Sequence, residues 1–158
     1  MSDKSESLAT LEAKYDEFRE KISGLPAKAY DEVWLGEWNL AQVLGHMGGW
    51  FGEMAIGLKR VANGERPTPE GVDYSDEDAW NAKFAATAAP GTAALSDFDG
   101  AYSNYRDAAK ALPEEKFATD PQSGKAGIGA RLLSGPGIHH FDEHRPQIEE
   151  WLSKRDPA

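Results

Sequence analysis

Three stretches of the chain place apolar residues alternately three and four positions apart, and this spacing restricts the fold more than any other feature. A helix turns by about 100° per residue, so residues spaced this way line one face and need a partner to cover them. The first row runs Leu8, Leu11, Tyr15, Phe18, Ile22, Leu25 and meets Gly24 and Pro26, residues that end helices. The second runs Leu40, Leu44, Met47, Phe51, Met54, Leu58. Asn39 stands before it as an N-cap with Gln42 three residues on, and Gly64 follows as a terminator. The third runs Leu95, Phe98, Tyr102, Tyr105, Ala109, Leu112 and stops at Pro113. An upstream extension, capped by Ser75 with Asp78 and carrying Trp80 and Phe84, is kinked or broken by Pro90-Gly91.

A fourth helix is expected from Pro136 to about Lys154, with Ile138, Phe141, Ile148 and Leu152 as its apolar row. Pro146 inside it kinks the helix or marks a restart. The Gly- and Pro-containing connection before it, from Pro113 to Gly135, is long and leads directly into the histidine-bearing helix, so it could serve as a lid, with "ARLL" as one helical turn. No stretch shows strand-like alternation. The chain therefore reads as all-α: one four-helix-bundle domain over residues 1–158, with a long connection before its last helix.

Composition narrows the function. A formal net charge of −10 with no Lys/Arg cluster excludes nucleic acid and an anionic membrane surface as partners. No apolar run reaches the roughly 20 residues of a membrane span, and the N-terminus lacks a secretory core, so a cytoplasmic protein is expected. The chain contains no cysteine, which removes thiolate ligands and a protein thiol nucleophile. "GKAGIG" lacks both the spacing and the preceding strand of a phosphate loop.

Four histidines are present, and three lie within "GIHHFDEHRPQI". His140 and His144 form an i,i+4 pair, with Gln147 and Trp151 continuing the row within about 40°. His139 sits roughly 100° away and is expected to face solvent. On the second helix, Trp50 and Glu53 lie within about 40° of His46, in a row flanking the apolar one. If the two flanking rows adjoin, His46, His140 and His144 meet in a cleft at the edge of the core. Three imidazoles there would hold one divalent ion and leave coordination positions open. The pattern equally admits three unconnected polar helix residues. Glu53 is a candidate general base or the group that steadies a ligand, against a plain surface carboxylate. Gln147 is a candidate for orienting water or a ligand, and Trp50 and Trp151 are candidate walls for a planar cofactor or substrate.

The segments "EWNLAQVLGHMGGWFGEM" and "LLSGPGIHHFDEHRPQIEEWL" resemble the second and last helices of the DinB-like superfamily, and "EHRPQIEEWL" is most similar to its ClbS/DfsB-type branch. The resemblance implies a four-helix bundle with an atypical crossover, assembled as a homodimer. It also implies a divalent ion, zinc or nickel, on His46, His140 and His144, with His139 matching no ligand position. Two kinds of function follow from it. One is a metal-dependent enzyme acting on a small organic molecule, by hydrolysis or by transfer of an exogenous low-molecular-weight thiol. The other is a non-catalytic small-molecule binding or resistance protein. A purely structural dimer with vestigial histidines is a third.

Overall fold

The structure of the protein, a computed structural model, describes residues 2–155. Helix α1 (Asp3–Ile22) opens on a reciprocal cap in which Ser2 and Ser5 each satisfy the other's backbone N–H, and it buries Leu11, Phe18 and Ile22. Helix α2 (Leu40–Ala62) opens on the Asn39/Gln42 pair: Gln42 N–H donates to Asn39 Oδ1 at 2.9 Å, and Asn39 N–H donates to Gln42 Oε1 at 3.0 Å. This start is set by local chemistry alone.

The upstream extension is a separate helix, α3 (Glu77–Ala86), capped by Asp76 rather than Ser75. The chain breaks at Pro90-Gly91 before α4 (Ala93–Lys110). Helix α3 lies close on α2 because α2 presents glycines there. A Cβ on Gly45 would stand 2.4 Å from that of Ala88, and one on Gly49 would stand 2.3 Å from the Phe84 ring.

Two expectations need correction. Residues 33–39 form a small antiparallel hairpin, β1 (Val33–Leu35) and β2 (Trp38–Asn39), where no strand was expected. With so few residues per strand, no alternation could be read from the sequence. The last helix does not begin at Pro136 either. Helix α5 (Ile128–Leu133), which contains the "ARLL" turn, passes through a π-helical turn at Ser134–His139 into α6 (His140–Lys154). Pro136 has no N–H to return to the preceding turn, and the carbonyl of Leu132 in that turn accepts the Tyr105 hydroxyl at 2.5 Å. Pro146 is exposed, and α6 continues through it.

The bundle consists of α1, α2, α4 and the α5–α6 helix, in the all-α architecture expected. Its centre is aromatic: Phe18, Phe51, Phe98, Tyr102, Tyr105 and Phe141 are all at most 1% exposed. Phe51 stacks on Tyr105 at 5.2 Å, and Tyr15 stacks on Tyr102 at 3.7 Å. Ion pairs fasten α1 to its neighbours from outside, Arg19 to Asp99 on α4 and Lys14 to Asp142 on α6. No described helix is long and apolar enough to cross a membrane.

Candidate metal centre

The histidines of α2 and α6 meet. One ring nitrogen each from His46, His140 and His144 lies within 4.8 Å of the other two, and the Nε2 atoms of His46 and His140 are 3.2 Å apart. Nitrogens each about 2.1 Å from one tetrahedral ion lie about 3.4 Å apart, so the His46–His140 pair at 3.2 Å already stands near that spacing, and the wider separations, up to 4.8 Å, would close on an ion by side-chain rotation. His139 is exposed and stands outside the group.

The rings do not line an open cleft, as the helical wheels suggested. His46, His140 and His144 are 5%, 8% and 4% exposed. The difference comes from the hairpin: Trp38 lies with its ring 5.0 Å from that of His46, and Trp34 stacks on Trp151 of α6 at 4.8 Å with 7° between planes. At the hairpin's base, both carboxylate oxygens of Glu32 accept hydrogen bonds from the Arg155 side chain just beyond α6. Residues 32–39 thus form a strap from the end of α6 to the cap of α2.

The outlying partner of His140 fixes how that ring is protonated. His140 Nδ1 is 3.2 Å from the carbonyl oxygen of Pro136, within the π turn. A carbonyl only accepts, so Nδ1 carries the proton and Nε2 presents a lone pair. His144 Nδ1 is 2.7 Å from Gln147 Oε1, and its Nε2 is buried without a partner. The proton shared between His140 and His46 therefore belongs to His46 Nε2, which leaves His46 Nδ1 buried and unpartnered as an acceptor.

Burial keeps all three rings neutral. Burial, with His144 nearby, pushes His46 down to about 3. Burial and the two neighbouring rings hold His140 well below the ordinary 6.5. Burial also lowers His144, against the Gln147 hydrogen bond and the Glu143 charge. Neutral imidazoles are the ligating form.

A divalent ion fits this donor set. Two buried nitrogens lack partners, each an expense of about 1–3 kcal/mol in a closed core. An ion would take up the idle lone pair on His144. It would also require the His46 proton to move to Nδ1, which has no partner there.

The remaining candidates divide. Gln147 and Trp151 stay with the α6 row, Gln147 on His144 and Trp151 on Trp34. Trp50 and Glu53 find their partners among residues 74–84. Trp50 Nε1–H donates to Asn81 at 2.6 Å, its ring packs on Tyr74, Trp80 and Phe84, and Glu53 accepts the Tyr74 hydroxyl at 2.9 Å. The wheel put both near His46, but the element covering that flank of α2 is α3 with the residues before it. Sequence reasoning missed Trp34 as a cover and the Pro136 carbonyl as a ring partner. Trp38 was visible only as the residue ahead of the cap.

The mycothiol maleylpyruvate isomerase N-terminal domain family matches residues 6–133 of the chain. The chain belongs to that family. The match confirms the DinB-like resemblance. It includes His46 and ends before His140 and His144, whose membership of the site comes from the geometry alone. No curated protein sequence matches. Among solved structures, the family's fold recurs in a Streptococcus pneumoniae protein with a TM-score of 0.77 and 14% identity, covering 97% of this chain and 92% of that one. An uncharacterised protein of Clostridium difficile 630 has a TM-score of 0.75 and 14% identity, with 96% of each chain covered. DfsB, described as a sibling lethal factor precursor, has a TM-score of 0.76 and 19% identity, with 98% of each covered.

Proposed function

We propose that the protein is a divalent-metal-dependent enzyme acting on a small organic molecule through His46, His140 and His144, with zinc or nickel as the ion. The observation that carries this reading is a buried cluster of three neutral imidazoles in which the Nε2 lone pair of His144 has no protein partner. The bound ion would supply Lewis acidity, lowering the pKa of water for hydrolysis or of a thiol for transfer. The chain's part is to hold the lone pairs of His140 and His144 ready, with His46 completing the set once its proton moves to Nδ1. Gln147 and the Pro136 carbonyl orient two of the rings, and Trp38 keeps bulk water off the third.

Transfer is favoured over hydrolysis because the family takes its name from a mycothiol maleylpyruvate isomerase. The chain lacks cysteine, so the thiol must be an exogenous low-molecular-weight one. Elemental analysis of protein made without an affinity tag should find one ion per chain, and His144→Ala should abolish it. A metal-free wild type would defeat the proposal. Isomerisation or conjugation of electrophilic substrates with and without added thiol then separates transfer from hydrolysis.

The closed strap over the histidines supports a second reading, a binding or resistance protein that encloses a small molecule without turning it over. Stoichiometric retention of an unaltered ligand by the metal-loaded protein would favour it.

A further inference from the structure

We infer that Gln147 is the positioning residue of the site: its side-chain oxygen accepts the Nδ1–H of His144 and so holds that ring with an unprotonated Nε2 turned into the cluster. The geometry stands by itself, while its purpose rests on the metal reading proposed above.

Gln147 is three residues beyond His144 on α6, so the helix itself sets the two side chains side by side. The contact is 2.7 Å. A glutamine can serve either way round, because its oxygen accepts and its NH₂ donates. Donation to Nδ1 would put the ring's proton on Nε2. That atom is buried and without any partner, so an N–H there would be stranded in the core. Acceptance leaves only a lone pair there, which costs less and is what a cation needs. The other ring on the same helix has the same arrangement. His140 donates to the Pro136 carbonyl, a group that cannot donate back.

Helix α6 thus carries both of its rings in one tautomer, each fixed from behind. His46 on α2 has no partner at Nδ1. The site is therefore asymmetric, with two prepared ligands from α6 and one from α2 that adjusts as an ion enters. Gln147, read from sequence as a candidate to orient water, acts instead through His144. Its amide is also neutral, so it fixes the ring without offsetting the ion's charge as a carboxylate would.

The test compares wild type, Gln147→Leu and Gln147→Glu. Glutamate can only accept, so it keeps the bond if the inference is right. In metal-free protein, long-range 1H–15N NMR of His144 should show protonation at Nδ1 in wild type and Gln147→Glu, and a mixture of tautomers in Gln147→Leu. Protonation at Nε2 in wild type would overturn the inference. In zinc titrations against a chromophoric chelator, Gln147→Leu should bind about 10–100-fold more weakly, and Gln147→Glu should match wild type or bind more tightly. Equal zinc affinity in wild type and Gln147→Leu would also overturn it. A wild type that binds no zinc would instead defeat the metal reading, and the metal-free NMR would still decide the role of Gln147.

Discussion

Each of the three histidines is individually unremarkable in sequence and costly in place. A neutral ring buried in the core resists protonation, and this has a consequence for stability. In the folded state His46 takes a proton only near pH 3, whereas the unfolded chain takes it near 6.5. Below 6.5 the unfolded state therefore binds more protons, and stability falls as the pH drops. Each ring held neutral adds up to about 1.4 kcal/mol per pH unit over its window. Urea unfolding of the metal-free protein at pH 7.5 and 5.5, where surface carboxylates stay ionised, should show the later pH markedly less stable. The curve should be flat above pH 7. Equal midpoints at the two pH values would show that the rings are not buried as described. At this scale the candidate site was half legible. His46, His140 and His144 could be named from spacing and resemblance, and His139 could be set aside. The burial, the tautomers and the indole against His46 depend on atoms that no spacing records.

At the scale of the element, the decisive piece is the turn that joins α5 to α6. Gly137 lies inside it, and a Cβ there would stand 2.7 Å from the Tyr105 hydroxyl and 2.9 Å from Leu11 Cδ1. Gly137→Ala should therefore push the turn off Tyr105 and cost about 1–3 kcal/mol in denaturant unfolding. Because the Pro136 carbonyl that steadies His140 belongs to the same turn, zinc affinity should fall as well. A variant with wild-type stability and affinity would show that the π turn does not position the ring. Helix starts with their own chemistry, such as Asn39 with Gln42, were readable in advance. The start of the last helix was not. Pro136 and Gly137 both speak locally for a helix boundary, and the helix runs through them because Tyr105, on another helix, takes the carbonyl that the proline leaves free.

For the whole molecule, the bundle stands on its aromatic centre rather than on its surface charges. Phe51 is fully buried on α2, one turn and a half beyond His46, and touches Phe98, Tyr102, Tyr105 and Phe141. Phe51→Ala should lower stability by about 3–5 kcal/mol, seen as a drop in urea midpoint at an unchanged slope. The exposed Lys154–Glu150 pair, by contrast, is screened by solvent and adds little to stability. A small loss in Phe51→Ala would place the stabilising centre elsewhere.

By itself the sequence determined four amphipathic helices, the order in which they follow one another, and the start of one of them, the Asn39/Gln42 cap of α2. Hydrophobic spacing and capping act between residues a turn or less apart, so they are written in the chain directly. Only the tertiary structure decided which rows face each other. It turned Trp50 towards α3 and Glu53 towards Tyr74 ahead of it, brought His46 against the α6 pair, and drew residues 32–39 across them as a strap. Those outcomes depend on contacts between residues up to 123 positions apart, such as Glu32 and Arg155, and packing rather than local preference selects among them.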